Sequence, residues 1–140
     1  MSSDERSSIH QPYVVAIPLF KPRTLLPSLI AALSEQVPVP SAWVFLDSSP
    51  PGERASRSEF AALSGTLIVE TIDKFDHGET RNVALAEAAH HADICIFLTQ
   101  DALPTDPESL PRLAAEIRGN VWAASGRQLP RSAADPIETA

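Results

Sequence analysis

Phe75–Pro104, FDHGETRNVALAEAAHHADICIFLTQDALP, is the stretch that decides the fold. It reads as a glycine-marked turn, an alanine-rich helix, a strand of mostly apolar residues and an acidic turn. A helix start and a strand end that both carry polar residues lie where open α/β sheets place their ligands. Arg81 and Asp101 are therefore expected close to any chemistry the protein performs.

Working outward, the flanks repeat the alternation. Tyr13–Ile17 (YVVAI) is an unbroken apolar run ended by Pro18, the pattern of a strand covered on both faces. Leu25, Leu29 and Leu33, with Leu26 and Ile30 beside them, form one wide helical stripe. Thr24 is the expected N-cap, and Pro27 then falls in the first turn, where a missing N–H costs little. Ala42–Leu46 (AWVFL) reads as a second strand that closes on Asp47-Ser48-Ser49 and the turn cluster Pro50-Pro51-Gly52. A weak helix is expected around Glu53–Ser64, a third strand over Thr66–Ile72 and a fourth over Asp93–Leu98. Ser109 as N-cap places Pro111 in the first turn of a last helix, with Gly119 as its C′ residue. Val121–Ser125 (VWAAS) is expected to be a fifth strand. Strands alternating with helices imply right-handed βαβ crossovers and a largely parallel sheet in a three-layer α/β fold.

Composition narrows the function classes. The 140 residues carry a net charge of -7 and no basic stripe, which argues against nucleic acid as a partner. No apolar run approaches the roughly 20 residues that cross a bilayer, so no transmembrane segment is expected. Residues 1–12 (MSSDERSSIHQP) read as a disordered polar leader without a secretory signal. Residues 13–140 read as one domain. A single cysteine, Cys95, excludes an internal disulfide, fits a reducing cytoplasmic setting and is expected to be a buried, inert thiol.

Several motifs are missing. The first strand is followed by neither G-x-G-x-x-G nor a G-x-x-x-x-G-K-[ST] loop. His77, His90, His91 and Cys95 lack zinc-ligand spacing, and no G-x-S-x-G elbow is present. What remains is polar residues at strand ends: Asp47 after the second strand and Thr99-Gln100-Asp101 after the fourth. In a parallel sheet these ends share one edge. A carboxylate there suits a hard divalent cation whose shell substrate phosphates complete. Gly78 opens a helix whose first-turn N–H groups suit a phosphate, and Arg81 adds a guanidinium fork. Taken alone, each of these residues reads equally well as a turn former or cap.

The blocks YVVAIPLF, WVFLDSSP, FDHGETRNVALAEA, ICIFLTQDALP and VWAASGRQLP, in that order, resemble family 2 glycosyltransferases of the GT-A fold. The last three are similar to the rhamnosyltransferase-like branch, which carries HG-x-TRN, TQDA-x-P and GRQLP. The resemblance spans Tyr13 to Glu138. It implies a nucleotide-diphospho-sugar transferase architecture, truncated here, with a donor site made of Pro18, Leu19, Phe20, Asp47, Arg81, Gln100 and Asp101. Pro18-Leu19-Phe20 would lie against the base, Asp47 would bind base or ribose, and Arg81 would contact base or diphosphate. Asp101 matches the last acid of the D-x-D metal motif, which implies Mn²⁺ or Mg²⁺ as cofactor. Thr99 stands where the motif has its first acid, as in that branch.

The implied reaction is metal-assisted transfer of a sugar, rhamnose by the branch, from a dTDP- or UDP-linked donor to a hydroxyl on a glycan or lipid-linked acceptor. The setting is polysaccharide biosynthesis in the cytoplasm or at the inner face of the membrane. The resemblance also implies a catalytic base in the second half of the domain, beyond the GRQLP block, so the base is expected beyond residue 140 and neither Asp135 nor Glu138 is assigned to that role. Two other readings stay open: a nucleotide-sugar-binding chain that does not turn over, and a five-stranded flavodoxin-like binding or receiver domain.

Overall fold

The computed structural model describes residues 11–73 and 76–126. At its centre are β1 (Val14–Leu19) and β2 (Ala42–Asp47), apolar on both sides and almost wholly buried. β3 (Thr66–Thr71) flanks β2 and β4 (Cys95–Phe97) flanks β1, giving a four-stranded sheet in the order β3-β2-β1-β4 with every pair parallel. Registers run from Val14 against Ala42 to Leu19 against Asp47, and from Val14 against Cys95 to Ala16 against Phe97.

The period-two alternation of the strands divides the core between two faces. Tyr13, Val15, Ile17, Leu19, Trp43 and Phe45 meet Leu26, Leu29, Ile30 and Leu33 of α1 (Leu26–Ser34). Leu110 and Ala114 of α3 (Ser109–Ala115) extend the same face. Val14, Ala16, Val44 and Leu46 point the other way, onto Ala84 and Ala88 of α2 (His77–Ala88). Small residues on both sides let that helix approach closely. Each fully buried Leu or Ile contributes about 1.5–3 kcal/mol, gross of the entropy of ordering it. This is the three-layer arrangement that the alternation and the resemblance imply. It also removes the flavodoxin-like alternative, in which the third strand, not the fourth, lies beside the first.

Several local expectations shift. β1 continues through Pro18 to Leu19, and its hydrogen bonds explain why. Val14 N donates to Ile94 O, and Ala16 O accepts from Leu98 N, so even-numbered residues of β1 face β4. β4 ends before Pro18, so the missing proline N–H costs no ladder bond. Thr24 does not cap α1. Leu25 holds that position without a side-chain bond, and the N–H groups of Leu25 and Leu26 are taken by Pro22 O at 2.9 and 2.8 Å. The weak helix over Glu53–Ser64 is instead two short 3₁₀ turns, Pro51–Glu53 and Arg57–Phe60. Phe60 is their one buried anchor, with its ring 4.5 Å from that of Phe45.

α3 starts at Ser109 as expected to within one residue, with Glu108 at the cap and Pro111 in the first turn. Buried Gln36, just past α1, fixes it there by donating to Asp106 O at 2.7 Å and accepting from Leu110 N at 2.9 Å. Gly119 lies in the turn beyond the helix at φ +57, a left-handed value that favours glycine. The expected fifth strand is a correction: Val121–Ser125 forms no strand, and Trp122 is 91% exposed. An apolar run becomes a strand only where an edge pairs with it, and this segment has no such partner among the described residues. Gln11, assigned to the leader, is anchored through its Nε2 to Ile117 O at 2.7 Å. The rest of the leader (1–10), the GRQLP block after Gly126, and Asp135 and Glu138 lie outside the described residues.

One pair acts against stability. Partial burial raises the Glu70 carboxyl above its ordinary value, and the Glu87 carboxyl, hydrogen-bonded to it and of like charge, raises it further. A raised acid favours the folded state below its unfolded value, and that contribution is lost as pH rises through the folded value. Glu70→Gln should therefore raise the melting temperature at pH 7 by about 2 °C, a small effect because the pair is partly solvated. The gain should vanish well below pH 4, where Glu70 is protonated in both states; a gain of equal size at both pH values would exclude the pair as its cause.

Candidate functional site

The chain runs β1, β2, β3 in one direction across the sheet and returns to place β4 on the other side of β1. The carboxyl ends of β1 and β4 therefore flank the point where strand order reverses, where doubly wound sheets hold ligands. A cleft of about 470 Å³ opens there. Its walls are Ala16–Leu19 of β1 with Phe20 after it, Leu46 of β2, Thr80, Arg81 and Ala84 of α2, and Phe97 of β4 with Leu98–Gln100 after it. Sequence-distant blocks thus converge: Pro18, Leu19, Phe20, Arg81 and Gln100 all line one cavity.

The loop after β1 is held by its neighbours. Leu19 O accepts from Ser48 N at 2.9 Å, and Lys21 N donates to Ser49 Oγ at 2.7 Å. Gln100 meets Phe20 twice: Phe20 N donates to its Oε1 at 2.9 Å and its Nε2 donates to Phe20 O at 3.0 Å. Between these bonds Lys21 takes φ +46, a left-handed value uncommon for a side chain of this length. Phe20 keeps half of its surface open, and the Lys21 ammonium lies 5.2 Å from the ring centroid.

Asp47 is in a different position from the other expected residues. It is 1% exposed, and its carboxylate is engaged within the loop that follows β2: Oδ1 accepts from Ser49 N and Oδ2 from Ala55 N, each at 2.9 Å. The structure thus shows Asp47 as the anchor of the loop whose Ser49 holds Lys21.

On the opposite wall, the Arg81 guanidinium lies over the Phe97 ring at 5.6 Å from its centroid. A cation–π contact of this kind attracts the guanidinium without consuming its hydrogen-bond donors. Asp101 follows Gln100, exposed, and its Oδ1 accepts from Thr99 Oγ1 at 2.7 Å. Thr99, standing where a first acid of D-x-D would be, therefore orients the second. Among the described residues no group of three or more His, Cys, Asp or Glu side chains is arranged to hold a metal ion. A metal gripped by protein ligands alone does not fit there, whereas a hard cation shared between one carboxylate and a ligand's phosphates does.

At the start of α2, Asp76 Oδ1 accepts from Glu79 N at 3.0 Å. The helix N-terminus thus has its own carboxylate beside Gly78, which weakens the expectation of a phosphate there. His90 and His91 border a separate cleft beside Ile94, at the other end of β4. Cys95 is half-buried rather than buried, and that burial pushes its thiol up to about 11, which keeps it protonated near neutral pH. Residues that sequence reasoning passed over are Ser49 and Phe97. Each lies next to a recognised block, but nothing in the pattern distinguishes a serine that holds a backbone N–H, or a phenylalanine that carries a guanidinium, from ordinary loop and strand residues.

No family model matches the chain. It is 33% identical over 124 residues to the O-antigen chain rhamnosyltransferase RfbN of Salmonella typhimurium strain LT2, covering 86% of this chain and 38% of the relative. It is 36% identical over 107 residues to the O-antigen chain rhamnosyltransferase WbaN of Salmonella anatum, covering 76% and 33%. The chain is a homologue of these rhamnosyltransferases and spans 38% and 33% of their length. Its fold is shared with Staphylococcus aureus TarS: the structure of TarS 1–349 superposes with a TM-score of 0.61 at 22% identity, covering 86% of this chain and 39% of that one. The same portion of TarS in complex with UDP gives a TM-score of 0.58 at 21% identity, covering 86% and 38%. No helix among the described residues is long and apolar enough to cross a membrane.

Proposed function

We propose that this chain, a homologue of O-antigen rhamnosyltransferases, binds a nucleotide-diphosphate sugar in the cleft between β1 and β4, and that the protein is a glycosyltransferase. The observation that carries the reading is convergence: Pro18–Phe20, Arg81 and Gln100, remote in sequence, line one cavity at the switch point, and Asp101 is the residue that follows Gln100. The apolar walls and the open Phe20 ring suit a nucleobase, which gains from stacking as well as from burial. Arg81, its guanidinium held over the Phe97 ring, presents donors to the diphosphate. Asp101, oriented by Thr99, would hold Mn²⁺ or Mg²⁺ together with the diphosphate, where the ion would neutralise charge on the departing group. Asp47 takes part through the loop it anchors. The donor is a dTDP- or UDP-linked sugar, rhamnose by kinship, and the acceptor a hydroxyl of a growing glycan, lipid-linked or free. The setting is polysaccharide biosynthesis on the cytoplasmic side of the membrane.

Calorimetry with dTDP and with UDP, each with Mn²⁺ and with chelator, tests the reading. Binding of at least one nucleotide that weakens on chelation supports it; the absence of binding to either would sink it. For Arg81→Ala the expected result is about 10-fold weaker binding, the loss of a charge-assisted contact. Its melting temperature should fall by no more than about 3 °C, since an exposed cation–π contact contributes little. An unchanged dissociation constant with a large loss of stability would instead make Arg81 a structural residue.

A further inference from the structure

We propose that Gln100 is a positioning residue that replaces the missing continuation of β4 and thereby makes the two halves of the donor site a single unit. Even-numbered residues of β1 face β4, and the backbone ladder between the two strands ends with Leu98 N donating to Ala16 O at 3.0 Å. Beyond it Pro18 has no N–H to offer, and the next residue facing that side is Phe20. A strand continuing there would meet Phe20 with one acceptor and one donor. The Gln100 amide supplies both, at 2.9 and 3.0 Å, in the two-way pattern of a peptide group. The pairing also settles the orientation of the amide, because the reverse would set N–H against N–H and oxygen against oxygen. The strands are thus joined by a side chain across an open crevice, which leaves room for a ligand where backbone would otherwise fill it.

The left-handed φ of Lys21 points the same way. Such a value persists in a non-glycine residue when its surroundings over-determine it. Here Gln100 holds Phe20 on one side and Ser49 holds Lys21 on the other, so the turn presenting the Phe20 ring is fixed from both sides. Gln100 is also the residue before Asp101. One side chain therefore couples the turn that faces the base to the turn that faces the diphosphate, and the inference rests on that reading of the cleft.

The test uses the 140-residue chain with two probes, UDP or dTDP and inorganic pyrophosphate, each with Mn²⁺. Loss of the clamp in Gln100→Ala should weaken nucleotide binding about 10-fold by disordering the Phe20 turn, with pyrophosphate affinity nearly unchanged. Gln100→Met, similar in length and uncharged but with no amide to pair with Phe20 N and Phe20 O, should behave like the alanine variant. In the Phe20→Ala background, Gln100→Ala should cost almost nothing more. Equal loss for both probes, or additive losses in the double variant, would reduce Gln100 to a general structural role and overturn the proposal. Hydrogen exchange at the Phe20 amide reads the clamp without any ligand: it should be protected in wild type and accelerated in Gln100→Ala. Unchanged exchange overturns the clamp itself, whereas lost protection in a chain that binds no nucleotide would overturn the donor reading alone.

Discussion

Asp47→Ala is expected to destabilise the protein by about 3 kcal/mol, lowering the melting temperature by about 10 °C. Asp47 closes β2 at 1% exposure, and its two carboxylate oxygens accept from Ser49 N and Ala55 N. Alanine removes both acceptors. The Ser49 N–H left behind is buried and the Ala55 N–H half-buried, so part of their desolvation cost is uncompensated. Asp47→Asn separates hydrogen bonding from charge. Its amide oxygen satisfies one N–H but turns a donor toward the other, so an intermediate loss of about 1–2 kcal/mol is expected. Chemical denaturation of the three proteins checks the order. A wild-type midpoint in Asp47→Ala would show that the loop does not depend on this carboxylate.

The consequence reaches the cleft. Ser49, whose N–H Asp47 holds, accepts from Lys21 N at 2.7 Å, and Lys21 follows Phe20. A strand-end acid can thus matter to ligand binding without touching the ligand, through two hydrogen bonds and a turn. Sequence pattern ranked Asp47 beside Asp101 because both follow apolar strands. Burial separates them: one carboxylate is buried and accepts from two backbone N–H groups, while the other is exposed.

That contrast marks what pattern can reveal. Apolar runs of strand length and the leucine stripe of α1 determine the sheet and its helix, because burial on both faces leaves few alternatives. The order of blocks brought Arg81, Gln100 and Pro18–Phe20 to one edge, since parallel strands put their ends together. The fifth strand failed because VWAAS satisfies local propensity while a strand also needs a partner, which propensity does not encode. Thr24 failed as a cap because Pro22 already supplied the acceptor. The role of Gln100 was out of reach for a similar reason. It depends on which way the β1 carbonyls point and on where β4 stops, both properties of the ladder.

Asp101→Ala is expected to abolish the effect of Mn²⁺ on nucleotide binding, weakening affinity in the presence of the ion by about 100-fold, the scale on which metal-site residues act. The argument starts from charge. A nucleoside diphosphate brings several negative charges to a chain whose net charge is already -7, so a divalent ion between Asp101 and the phosphates turns repulsion into attraction. Without the ion, Asp101 itself repels the diphosphate. Chelated wild type should therefore bind no better than Asp101→Ala, and the variant should be indifferent to added Mn²⁺. Thr99→Val retains the carboxylate but removes the hydroxyl that orients it at 2.7 Å, and a smaller loss of about 3-fold is expected from one positioning hydrogen bond. Because Thr99 is exposed, its change should not move the melting temperature by more than about 2 °C. Titrations of UDP or dTDP into the three proteins, with and without Mn²⁺, decide the matter. Equal Mn²⁺ dependence in wild type and Asp101→Ala would remove the metal from this carboxylate and leave Arg81 as the main diphosphate contact.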